Sequence, residues 1–187
     1  MQVLAVGFTA ASIASTFGLT VPQALQTGTA FFFGMLLGAA GFGRLADRYG
    51  RRRVLIVTVA CDALFGVLSI FSPDFTILLV LRFLTGAAVG GTLPVDYAMM
   101  AEFLPARNRG RWLVFLEGFW AVGTLIVALA AWGASLAGVA DAWRYIFAVT
   151  AFPAVLGLGL RFLVPESPLY LLRTGRSEEA KAVVNRM

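Results

Sequence analysis

Apolar residues run along this chain in six long stretches, separated by short polar breaks. The stretches cover residues 3–17, 24–42, 54–72, 75–99, 112–137 and 144–164. A helix rising 1.5 Å per residue needs about 20 apolar residues to cross a hydrocarbon core, and five of the six reach that length. The pattern predicts an all-α membrane protein with six transmembrane helices. The first stretch is short for a span, and it follows Met1 and Gln2 with none of the positive charge that opens a secretory signal. It reads as the second half of a truncated first helix.

The breaks alternate in charge. Residues 18–23, 72–74 and 138–143 are nearly free of cations, whereas 43–53, 102–111 and the tail from Pro165 carry five, three and four Lys or Arg. Cations between closely spaced spans stay on the cytoplasmic side, so the basic breaks and both chain ends are expected there. Residues 1–164 form the predicted bundle. Residues 165–187 form a cytoplasmic tail, with Ser177 placed to cap a helix whose first turn holds Glu178 and Glu179. The expected home is a cell membrane, and a bacterial inner membrane fits best.

Composition narrows the function. The chain has 187 residues, 59% hydrophobic and 13% charged, where a soluble domain carries about 25% charged residues. Its net charge of +5 is confined to the basic breaks, with no aromatic and basic interleaving, which argues against a nucleic-acid partner. One cysteine and no histidine give no disulfide framework and no zinc motif, so neither a metal nor a cofactor is expected. The run Gly86-Ala87-Ala88-Val89-Gly90-Gly91 lies inside a span and lacks the Lys-Ser/Thr of a phosphate loop. An enzyme is not expected.

Ionisable side chains within spans are costly and mark candidate sites. Four qualify: Asp62, Arg82, Asp96 and Glu117. Arg82 lies roughly 10 Å into the fourth span, with Gly86 and Gly90 one and two turns further on. Glycines so spaced let a neighbouring helix come close. Arg82 itself either snorkels outward or faces a polar cavity. Glu117 stands roughly 9 Å past Arg111, on a face shared with Ala121, Thr124 and Ala128. It is either a proton carrier or the partner of a loop arginine. Asp62 is a weaker candidate, and Asp96, two residues after the helix-bending Pro94, suits a structural hydrogen-bond hub. The scarce amides, Gln2 among them, do not fall convincingly at mid-membrane.

The stretch Gly43-x-x-x-Asp47-Arg48-x-Gly50-Arg51-Arg52-x-x-Leu55 resembles the loop between helices two and three of the major facilitator superfamily of secondary transporters. Arg82-x-x-x-Gly86-x-x-x-Gly90-Gly91 with Pro94 is similar to that family's fourth-helix motif, whose arginine is associated with proton coupling. Ala101-Glu102-Phe103-Leu104-Pro105 with Arg109-Gly110, Trp143-Arg144 and Pro165-Glu166-Ser167-Pro168 resemble sugar porters and synaptic-vesicle-protein-like carriers.

The resemblance implies the N-terminal six-helix half of a carrier, lacking its C-terminal half, that works by alternating access. Its partners would be the lipid bilayer, a small-molecule solute and protons. Gly43, Asp47, Arg48, Gly50, Arg51, Arg52, Glu102 and Arg109 would form a cytoplasmic gating network, and Gly86, Gly90, Gly91 and Pro94 would set helix packing. The solute would be a small polar one such as a sugar or an organic acid; the few amides weaken a sugar and leave room for an organic acid, with Arg82 as its counter-charge. The alternative is an inactive fragment, scaffold or sensor.

Overall fold

The structure is a computed structural model that describes residues 1–103, 109–161, 168–173, 175–178 and 181. The side chains of 101–103, 109, 116, 160, 161, 168, 169 and 173 lie outside that description. The helices are α1 (Gln2–Phe17), α2 (Val21–Ala24), α3 (Gln26–Tyr49), α4 (Arg51–Ile70), α5 (Phe75–Phe103), α6 (Arg109–Leu136), α7 (Ala142–Arg161) and α8 (Pro168–Arg173). By length and composition, five segments can cross a membrane: Val21–Tyr49, Arg51–Ile70, Phe75–Met100, Gly110–Leu136 and Ala142–Gly159. α1 is a shorter sixth apolar helix.

The helices outrun their apolar stretches. The basic break at 43–53, read from sequence as a loop, is the last two turns of α3, a single glycine, and the first turn of α4. Apolar side chains mark where lipid lies. A backbone whose bonds are satisfied within the helix continues past that boundary without them. The turn occurs at Gly50, whose φ of 101° is open to glycine at little cost. Its N–H still reaches the Ala46 carbonyl at 3.1 Å, and its carbonyl accepts from Val54 N–H at 3.3 Å, so little backbone bonding is lost.

α3 and α5 touch backbone to backbone. A methyl carbon added at Gly34 or Gly38 would lie 2.1 or 2.0 Å from the carbonyl oxygens of Phe83 and Ala87. Added at Gly86 or Gly90, it would lie 2.0 or 2.1 Å from those of Phe31 and Met35. At Gly91 it would strike the Phe42 ring at 2.4 Å. The contact is thus reciprocal, two glycines from each helix seated on carbonyls of the other. In lipid, close packing of this kind supplies much of the attraction between helices.

α4 lies against α5 and α7. One core cluster joins Ala5, Ile13 and Ala14 of α1 to Leu78, Val127, Trp143, Ile146 and Phe147. A second, toward the basic end, joins Ala46, Val54, Leu55, Val59, Val95 and Met99. The opposite end is tied by polar bonds. Thr16 donates its hydroxyl to Asp141 at 2.6 Å and accepts from the Trp143 indole at 3.1 Å. Arg144 donates to the carbonyls of Ile70 and Ser72 while lying over the Trp143 ring. α6 is the least enclosed helix, with Val114 and Leu136 each 72% exposed.

Candidate functional site

Arg82 is fully buried, and its surroundings come from four helices. Its Nη1 donates to Gln2 Oε1 of α1 at 3.1 Å. The guanidinium carbon sits 4.1 Å from the centre of the Phe147 ring of α7, a cation–π arrangement. Thr150, one turn further along α7, donates to the same Gln2 oxygen at 3.3 Å and to the Phe147 carbonyl at 3.0 Å. From α4 comes Gly66, whose missing side chain makes room for Gln2. A methyl carbon there would lie 2.5 Å from Gln2 Nε2. Asp62 precedes Gly66 by four residues and shares its face of α4.

Burial of polar groups is normally matched by hydrogen bonds. Among the described residues, four buried side-chain atoms lack a partner: Gln2 Nε2, Asp62 Oδ1, Arg82 Nε and Arg82 Nη2. All four belong to this cluster. Beside it lies a cavity of about 270 Å³ whose wall includes Gln2, Asp62, Trp120 and Thr150. Arg82 is not part of that wall and stands behind Gln2.

The candidates from sequence therefore separate. Arg82 neither snorkels nor faces the cavity, because Gln2 and the Phe147 ring hold it inside the bundle. Asp62 reaches the cavity wall. Glu117 is exposed on α6 and accepts a hydrogen bond from the Tyr97 hydroxyl of α5, away from the Arg82 cluster. Asp96 is half-buried beside Tyr97. Asp47 and Arg48 are exposed on the last turn of α3, with Arg51 and Arg52 half-buried just across Gly50. The side chains of Glu102 and Arg109 lie outside the described residues.

Gln2 overturns its reading from sequence. It is 4% exposed and central to the cluster. The available signal was an amide at the start of an otherwise apolar helix, which is costly unless partnered. Gly66, Phe147 and Thr150 carried no comparable signal.

Gly66→Ala tests the arrangement. The new methyl displaces the Gln2 amide, and Arg82 loses its acceptor. Overpacking and a lost bond to a charged group should together destabilise by about 2–4 kcal/mol. Thermal unfolding in detergent should show a clear fall. In a Gln2→Ala background the same substitution should cost much less, since the clashing group is gone.

A family model described as "Sugar (and other) transporter" matches residues 7–187. The chain belongs to that family. Organic cation/carnitine transporter 7 of Arabidopsis thaliana is 35% identical over 187 residues, covering all of this chain and 37% of that protein. The niacin transporter NiaP of Acinetobacter baylyi is 38% identical over 156 residues, 83% of this chain and 35% of its own length. Synaptic vesicle glycoprotein 2A of Rattus norvegicus is 31% identical over 197 residues, all of this chain and 26% of its own. The chain thus spans about a third of the curated relatives it matches. Among solved structures, the proton:xylose symporter XylE bound to 6-bromo-6-deoxy-D-glucose superposes with a TM-score of 0.87 at 25% identity, over 98% of this chain and 45% of that one. An inward-open xylose transporter XylE from E. coli gives 0.83 at 25% identity, over 99% and 48%. The fold of this sugar (and other) transporter family member is the N-terminal half of a major facilitator, and the relatives from Arabidopsis thaliana and Acinetobacter baylyi are named as transporters.

Proposed function

We propose that this chain is one wall of a secondary transporter that moves a small polar solute by alternating access, coupled to protons. The observation that carries the reading is the buried cluster of Arg82, Gln2, Thr150 and Asp62. A protein that only anchors or scaffolds has no need of ionisable side chains with unpartnered atoms buried inside a membrane bundle. A second six-helix wall would complete the solute path near the midplane, as in carriers built from two related halves. In this reading the basic breaks face the cytoplasm, both ends of the chain lie there, and residues 165–187 begin the link between the halves. Asp47, Arg48, Arg51 and Arg52 stand at that face, where Glu102 and Arg109 would join them in a gate.

The relatives named for organic cations and carnitine, for niacin and for xylose support a small polar solute. The family also includes a synaptic vesicle glycoprotein, so relatives alone do not choose the substrate. Uptake into vesicles reconstituted with the carrier that carries this chain tests the reading. A panel of sugars, carboxylic acids and organic cations is offered with and without an inward proton gradient. Gradient-driven accumulation of one class is the expected result. Absence of uptake across the panel, with correct insertion shown by proteolysis, would replace transport with a scaffold or sensor role.

A further inference from the structure

The cavity beside the Arg82 cluster has a one-sided chemistry. Its volume of about 270 Å³ lies just under the range of about 300–1,000 Å³ that holds drug-sized ligands, so an occupant must be small. The wall is mostly apolar, with Val59 of α4, Val89 and Leu93 of α5 and Pro153 of α7 in it. Among the described residues, Asp62 is the single ionisable side chain of that wall and Trp120 its single aromatic ring. Asp62 Oδ1 is buried and lacks a partner. A buried carboxylate oxygen without a donor is costly, and an ionised carboxylate can only accept.

The neighbouring polar groups do not answer it. The Thr150 hydroxyl has one proton, and both Gln2 Oε1 and the Phe147 carbonyl lie within its reach, at 3.3 and 3.0 Å. It therefore offers the cavity oxygen lone pairs. Gln2 Nε2 sits against Gly66, where a methyl carbon would lie 2.5 Å from it. Arg82 stands outside the wall, bonded to Gln2 at 3.1 Å. What remains is a carboxylate, a hydroxyl oxygen and an electron-rich indole in an apolar shell.

We infer that this cavity binds a small organic cation, a substituted ammonium of about the size of choline, with the Asp62 carboxylate as counter-charge and the Trp120 ring beside it. A methylated ammonium carries a diffuse positive charge on an apolar surface, which suits one acid and one indole in an apolar wall. A bare metal ion would need several oxygen ligands in place of its water, and this wall has few. An organic anion would meet Asp62 with like charge. The inference rests on the proposed transport reading for the idea of a solute and names its class, opposite in sign to the organic acid that Arg82 alone would attract. Glu117, bonded to Tyr97, lies outside this wall and has no part in it.

Three molecules of one shape and different charge give the test: choline, its uncharged carbon isostere neohexyl alcohol, and the anion tert-butylacetate. The 187-residue chain is placed in lipid nanodiscs, its amino terminus acetylated because Met1 also lines the cavity. Isothermal titration calorimetry, with empty nanodiscs subtracted, reads binding. Choline should bind saturably and about tenfold tighter than the alcohol, and the anion should not bind. Asp62→Asn keeps the shape of the side chain and should bring choline down to the alcohol's affinity. Trp120→Leu should weaken choline severalfold and change the alcohol little. Glu117→Gln should leave the series as it is. Monodisperse particles with unchanged helical circular dichroism identify folded variants. Equal affinity for choline and the alcohol, preference for the anion, no choline bound by the folded chain, or a choline affinity untouched by Asp62→Asn overturns the inference whether or not the carrier transports. Choline bound as expected, with no uptake of any solute by the carrier, would support the inference and count against the transport reading alone.

Discussion

Gly86→Val is expected to leave little folded protein. A valine places three carbons where a single methyl carbon would already lie 2.0 Å from the Phe31 carbonyl oxygen. That neighbour is backbone on the facing helix, and Gly90, one turn further on, is seated equally closely on Met35, so α3 cannot slide to a free position. The two helices must separate along the whole contact. Each overpacked site costs about 1–3 kcal/mol, and here the reciprocal contacts at Gly34 and Gly38 are lost with it. The total approaches a large part of the 5–15 kcal/mol that holds a typical protein folded. Size-exclusion chromatography in detergent should show aggregate in place of the monodisperse peak. Gly133→Ala on α6 is the control, since a methyl there meets nothing within 4 Å. It should keep the melting temperature or raise it slightly, because alanine favours a helix over glycine by about 1 kcal/mol.

Asp47→Asn is expected to slow uptake about tenfold in the carrier while leaving its amount in the membrane unchanged. Asp47 is exposed in this half, so its removal costs the bundle itself little. In the proposed gate it meets cations across the interface between halves when the cytoplasmic side is closed. Water leaves that interface on closure, and the same charges attract more strongly at lower effective dielectric. Losing roughly 1.4 kcal/mol from one state alone shifts the balance between two states tenfold. Uptake rate measured against membrane abundance checks it. An unchanged rate would remove Asp47 from the gate, and a fall in both quantities would make its role one of folding.

The two substitutions fall on opposite sides of what could be read in advance. Gly86, Gly90 and Asp47 stand out in sequence because spacing and charge pattern single them out before any helix is placed. The partners of Gly86 and Gly90 do not. Phe31 and Met35 contribute carbonyl oxygens, and a backbone carbonyl has no signature in the side-chain sequence. The ends of the helices were misjudged for a related reason. Polarity makes residues 43–49 read as loop, although the helix continues beyond lipid and turns only at Gly50.

Arg82 shows the division most clearly. Its cost in an apolar span marked it as a site from composition alone. The sequence leaves room for an organic acid paired with it, but that Gln2 lines the cavity while Arg82 bonds to Gln2 from outside its wall is visible only in the packing.

From its amino acids alone this chain is an all-α membrane bundle with its basic breaks on one side and four costly ionisable groups inside. Those properties follow from local composition, since lipid demands apolar runs of a set length and admits charge only at its edges or for a reason. Which of the four groups meet was decided by tertiary structure. Gln2, Asp62, Arg82 and Thr150 lie on four different helices, and where they converge Gly66 leaves room for the Gln2 side chain. Convergence of that kind is a property of helix packing, and no window along the chain contains it.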